Sequence, residues 1–271
     1  MNIHIKDEGL FKALKDSSLV ACQFGSHLYN TNDELSDKDI HYVYTTSVGE
    51  MNSFLREQHH HIQYCEDGVD HVFVSFHNLI RNVINGDSTV LFEIIHSNSL
   101  IGTPLEFIHN FRSFFVNYSI IRSYTGLGNR DCKHYHKKET HRDQIKALGH
   151  IYRGYFFAKS LMEDNFRLVN DEFLQTFEKI KSIEDGNHKD KKLFLQKGQE
   201  LITNLREELN NRFNNKTLGL PKYMSVENQI ILDEEISELM CKNIWFTKQR
   251  IVNNNDIMSL FYDAFENGIN Y

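Results

Sequence analysis

Proline is almost absent from this chain: Pro104 and Pro221 are the only two. Long helices are therefore permitted, and element boundaries carry little punctuation. Cysteine is just as sparse. Cys22, Cys65, Cys132 and Cys241 stand far apart with no Cys-x-x-Cys pair, so neither a zinc ribbon nor a disulfide framework is indicated. No apolar run approaches the ~20 residues that a membrane helix needs. The opening MNIHIKDEGLFKALKD is too charged for a signal peptide. These absences lead to the expectation of a soluble protein of the reducing cytoplasm, with no membrane partner. Positive charge is also in deficit: 30 Lys and Arg against 37 Asp and Glu leave a net charge of -7. That balance argues against wrapping a polyanion over the whole surface, and it leaves room for a local basic groove.

What the chain does have is length and a core. Its 271 residues are 40% hydrophobic, enough for one large domain or two ordinary ones. Residues 8–16 read as a short helix and 19–24 as a buried strand ending at Gly25. From Asp37 to Thr45 the pattern alternates, with Ile40, Tyr42 and Tyr44 on one face and Asp37, Asp39 and His41 on the other. Residues 48–58 read as helix, 69–76 as strand, and Phe76, Leu79, Ile80, Val83 and Ile84 follow helical spacing. After Pro104 the reading is all helix: 104–122, 140–165, 170–183, 190–214, 225–241 and 254–267. The expected class is α+β, with a mixed sheet and its helices in 1–103 and an all-α domain in 104–271.

The chemistry concentrates at GSHLYNTNDELSDKDI, residues 25–40. Residues i and i+2 of a strand share a face, so Asp37 and Asp39 stand a few ångströms apart. Two like charges that close raise each other's pKa unless a cation intervenes, and oxygen donors suit Mg²⁺ or Mn²⁺. Asp-x-Asp alone is common on exposed strands. The preceding Gly25-Ser26 adds weight, because a strand that stops at Gly-Ser exposes backbone N–H groups and a hydroxyl suited to phosphate. A phosphate cradle beside metal-binding carboxylates is what nucleotidyl transfer from a nucleoside triphosphate needs. A third carboxylate is required. Glu66 and Asp67 fall in a turn with Gly68, so Asp70, at the start of the next strand, is the choice.

These residues resemble the DNA polymerase β nucleotidyltransferase superfamily, and within it the RlaP-like family associated with RNA repair. The resemblance rests on Gly25-Ser26, Tyr29, Thr31 and Ser36-Asp37-Lys38-Asp39, then Asp70, the turn Asn85-Gly86-Asp87-Ser88 and Glu93. It extends to the helix Lys146-Ala147-Leu148-Gly149-His150-Ile151-Tyr152-Arg153. It departs from the family at His27, where Arg is frequent, and at Asp87-Ser88, where a Pro is usual. The resemblance implies a nucleotidyltransferase core with Asp37, Asp39 and Asp70 as catalytic metal ligands. It implies an NTP held by Gly25, Ser26, Lys146, His150 and Arg153, and a divalent metal. It leaves the acceptor open between an RNA end, a protein hydroxyl and a small molecule.

Other features read more plainly. Arg130, Lys133, Lys137, Lys138 and Arg142 fit either a cationic wall, for triphosphate or a nucleic-acid acceptor, or a solvated loop and helix start, and the solvated loop is the reading. Lys146, His150 and Arg153, at i, i+4 and i+7, instead share a helical face that suits a cleft wall. His59-His60-His61 reads as an exposed helix end and not a metal site, because adjacent residues on a helix diverge. Arg56 and His61 match an Arg-x4-His pair that chance supplies. Glu93, inside an apolar run, needs a partner, either a Lys or Arg near the site or a fold-level ion pair, and the structural role is the reading. Trp245 reads as core. The alternative function is a catalytically silent regulator that binds nucleotide or protein on the same fold.

Overall fold

The computed structural model describes residues 2–4, 8–34, 36–44 and 61–241. The expected helices at 48–58 and 254–267, together with Arg56, His59, His60 and Trp245, lie outside the described residues.

The N-terminal part builds one five-stranded mixed sheet. Its strands are β1 (Asn2–His4), β2 (Ser18–Phe24), β3 (Lys38–Tyr44), β4 (His61–Glu66) and β5 (Val69–Ser75), and helix α1 (Glu8–Asp16) lies between β1 and β2. The order across the sheet is β1-β4-β5-β3-β2. β5 is central, and β3 lies between it and the edge strand β2, antiparallel to β2 and parallel to β5. The alternation in β3 has its expected consequence. Tyr42 and Tyr44 pack with Phe73, Ile62 and α1 residues Phe11 and Leu14 under one face. Val43 and Val74, from the opposite pleat, enter the large core beneath the helices. Asp39 and Asp70 belong to that second, helix-covered face.

Two strands were not expected. β4 carries HIQYCE, a mixed run without a clean apolar alternation, and it is made a strand by pairing with β5 through a hairpin. Asp67 and Gly68, at φ 49° and 75°, form its two-residue turn, so Glu66 ends a strand instead of lying in the turn. β1 is three residues long and is defined by parallel pairing to β4.

Helices follow: α2 (Phe76–Asn85), α3 (Thr89–His96), α4 (Tyr118–His134), α5 (His141–Met162), α6 (Asp171–Lys181), α7 (His188–Asn214) and α8 (Val226–Cys241). Side-chain caps set their starts: Ser75, Ser88, Asn117, Thr140, Asn170 and Asn187 each accept from the backbone N–H three residues further on. The expected helix at 104–122 is instead a 3₁₀ segment, Glu106–Phe115, followed by a break where Asn117 caps α4. α4 then runs through residues 130–134, where the sequence leads one to expect a loop. All described strands precede residue 103, and the rest is helical. One cluster of buried side chains nevertheless runs from β2, β3 and β5 through α2–α5 to α7. No helix among the described residues is long and apolar enough to cross a membrane.

Candidate active site

β2 ends at Phe24, and the chain turns at once into a short 3₁₀ turn, Gly25–His27. Gly25 sits at φ +65°, a region that L side chains rarely adopt. A Cβ there would stand 2.7 Å from Oδ2 of Asp39. The pairing explains the closeness: Asp39 is the partner of Phe24 across β2–β3. On its other side Asp39 is the partner of Asp70 across β3–β5, so the two carboxylates share a face on adjacent strands. Half-buried Asp39 has its pKa pushed above the usual carboxylate range. Burial is the largest cause, Asp70 the next, with Asp37 adding and Lys146 and His27 opposing.

Asp37 lies one residue ahead of β3 and is exposed. Its carboxylate meets Lys146 Nζ at 3.4 Å and Arg142 at 3.9 Å, both from α5. Such exposed pairs are worth about 0–1 kcal/mol, so an arriving anion can take either cation at little cost. Asp70 is also exposed, and its partner across β4–β5, Cys65, hydrogen-bonds to it, which raises the thiol's pKa.

Between the turn after β2 and helices α5 and α6 lies a cleft of about 310 Å³. Of the expected site residues, Gly25, Ser26, Asp37, Asp39, Lys146, His150 and Arg153 all line it. Asp70 does not line it; it stands on the far side of Asp39. Among the described residues no three His, Cys, Asp or Glu side chains form a ready metal-binding group. The donor set is nonetheless short of positive charge at Asp39, where two neighbouring carboxylates add to the cost of ionisation. Oxygen donors in that condition fit a hard divalent cation.

The α5 wall is more elaborate than its spacing showed. His150 Nδ1 lies 3.0 Å from Asp131 Oδ2, and Arg130 lies 3.1 Å from the other oxygen of Asp131. These bonds keep the Asp131 pKa low in spite of burial. An ionised carboxylate only accepts, so the His150 proton is assigned to Nδ1, leaving a lone pair on Nε2. Burial, with Arg153 and Lys146 adding, lowers the His150 pKa against the opposing pull of Asp131. The imidazole is therefore neutral at pH 7.

Arg153 lies within electrostatic reach of a buried carboxylate, Glu93. Glu93 of α3 is 0% exposed and accepts from the hydroxyls of Tyr29 and, at 2.9 Å, Tyr124. Burial raises its pKa, opposed first by Arg153 and then by those two hydroxyls. The Arg153 guanidinium stands 4.5 Å over the Tyr29 ring. Its Nε is buried with no hydrogen-bond partner among the described residues. Glu93 is thus the counter-charge of a cleft cation, tied to the 25–31 turn through Tyr29.

Arg142, expected in a solvated stretch, instead extends the α5 stripe by one turn, and Ile145 of α5 and Phe173, Phe177 and Lys181 of α6 also line the cleft without having been singled out from the sequence. Arg142 was legible from its i−4 spacing to Lys146. The α6 residues had the look of an ordinary core stripe. No protein-family model matches the chain, and no curated protein sequence matches it.

Proposed function

We propose that this protein is a divalent-metal-dependent nucleotidyltransferase of the DNA polymerase β type, with the nucleotidyltransferase arrangement centred on β2, β3 and β5. It moves a nucleoside monophosphate from an NTP to a hydroxyl. The observation that carries the reading is the meeting, in one cleft, of the Gly25-Ser26 turn, the Asp37-x-Asp39 carboxylates and the Lys146–His150–Arg153 face. A polyanion with its counter-cation is the ligand that suits both walls. Arg142, Lys146 and Arg153 meet phosphate oxygens, and the unpartnered Nε of Arg153 gains a bond there. Ser26 and the turn's N–H groups meet the same chain of phosphates. Asp37, Asp39 and Asp70 are the residues that would hold Mg²⁺ or Mn²⁺, which when bound neutralises the triphosphate and activates the attacking oxygen. The acceptor is an RNA end, a protein or a small molecule.

Calorimetric titration of each NTP, with Mg²⁺ and with EDTA, tests the reading on wild type and on Asp37→Ala and Asp39→Ala. Metal-dependent binding that either substitution removes, together with loss of nucleotidyl transfer in a folded variant, is the expected result. Equal affinity in EDTA and Mg²⁺ would point instead to a silent nucleotide-binding regulator, and unchanged turnover in both variants would end the mechanism.

A further inference from the structure

The cleft has two chemically different kinds of lining. Gly25, Asp37, Asp39, Arg142 and Lys146 are polar or charged, and Ile145, Phe173 and Phe177 bring apolar surface. Phe173 and Phe177, one turn apart on α6, stack with ring centroids 5.8 Å apart and 29° between their planes. Phe173 is 3% exposed and anchors the pair, while Phe177 is only partly buried and lines the cleft. The position of the Phe177 ring is set by α5. A Cβ on Gly149 would lie 2.5 Å from Phe177 Cε2, so only glycine lets the ring lie against the helix at that level. Lys181, one turn further on, holds its amine 5.8 Å from the Phe177 centroid. Its long stem lets that amine leave the ring when a planar ligand arrives.

We propose that Phe177, backed by Phe173, is the platform for the base of the nucleotide, so that this ring pair distinguishes a nucleotide from bare polyphosphate. The inference rests on the nucleotide reading of the site and adds to it the half of the ligand that the charged wall does not explain. A ligand that is anionic at one end and a flat π-system at the other matches the two kinds of lining in the cleft, whose size of about 310 Å³ is at the lower end for small-molecule sites. Stacking on an aromatic side chain holds any base, because every base has a π-face. The prediction is therefore preference for nucleotide over polyphosphate with modest discrimination among the four bases.

The test compares ATP, GTP, CTP and UTP with inorganic tripolyphosphate by calorimetry on the full chain, all with Mg²⁺. The variants are Phe177→Leu, which keeps apolar volume without a ring face, and Phe177→Tyr, which restores the ring. Expected is a loss of NTP affinity of about 5- to 150-fold in Phe177→Leu, the range found for one stacked base. Tripolyphosphate affinity stays unchanged, and Phe177→Tyr returns to near wild type. If NTP and tripolyphosphate weaken equally, Phe177 only shapes the cleft and the platform is refuted. Equal wild-type affinity for NTP and tripolyphosphate refutes the platform while leaving the phosphate site standing. Wild type that binds neither ligand overturns the nucleotide reading itself, and the platform with it.

Discussion

Gly25 and Asp39 are in contact through the atom that Gly25 lacks: a Cβ there would stand 2.7 Å from Asp39 Oδ2. The backbone at φ +65° compounds this. Gly25→Ala therefore meets two costs, roughly 1–2 kcal/mol for the left-handed backbone and the displacement of a carboxylate. The Asp39 side chain has to move, and with it the site's geometry. On the proposed nucleotidyltransferase reading, the expected result is a loss of transfer activity of at least about 100-fold, of the order a 1 Å misplacement produces, for a stability loss of only about 1–2 kcal/mol. Chemical denaturation beside a turnover assay checks both. Wild-type activity in Gly25→Ala would mean that Asp39 is not at the reacting centre.

His96 ties stability to pH. It packs against Phe92 and Phe166, bonds the Phe92 carbonyl through Nδ1 at 3.0 Å, and has its pKa pushed down to about 4 by burial, with Arg112 and His109 adding. A depressed histidine is neutral in the folded state while the unfolded chain takes up a proton below pH 6.5. Stability is thus complete above pH 6.5 and falls as pH drops from there to about 4, by up to about 3 kcal/mol from this residue. His71, His77, His109 and His150 are lowered as well and act in the same direction. His96→Leu loses the carbonyl bond at pH 7, yet at pH 5 it regains about 2 kcal/mol relative to wild type, because it has no proton to take up on unfolding. Urea midpoints at the two pH values give the comparison; a constant difference between the proteins would show that His96 titrates normally.

What the sequence disclosed depended on whether the signal was local. β2 and β3 were legible because a buried run stopping at Gly25 and an alternating run after Ser36 are each readable within ten residues. The i, i+4, i+7 spacing of Lys146, His150 and Arg153 likewise needed no partner. β4 was not legible, since HIQYCE becomes a strand only through its register with β5. The break before α4 was marked by Asn117, a capping residue, but the Phe-rich stretch ahead of it fits helical spacing well enough to mask it. Asp70 was legible as the opening of a strand, whereas its pairing with Asp39 and its position outside the cleft follow from the β3–β5 register and the placement of the helices. Glu93 bonds two tyrosine hydroxyls and makes no ion pair with Arg153, whose charge acts on it only through space. Arg153 is also a cleft residue, and 60 positions of sequence separate the two.

The Asp131–His150 pair gives the last prediction, and it separates positioning from binding. Asp131 does not line the cleft; it acts through His150, whose Nδ1 proton it holds. Asp131→Asn keeps the shape and removes the charge. The amide can donate to Nδ1 as well as accept from it, so the preference for a lone pair on Nε2 is lost. At the same time His150 loses the carboxylate that pulls its pKa up, while burial, Arg153 and Lys146 continue to hold it down. If the neutral His150 serves the reaction, wild-type kcat is level above pH 6.5 and falls only at lower pH. In Asp131→Asn that acid limb moves to still lower pH, while kcat on the plateau drops by about 10- to 100-fold with KM for the NTP nearly unchanged, the size of loss found for an orienting partner in metal-site triads. A merely structural role for Asp131 would lower stability and leave the acid limb where it was. A limb that moves to higher pH would contradict the electrostatic assignment, because it requires removal of the carboxylate to make protonation of His150 easier.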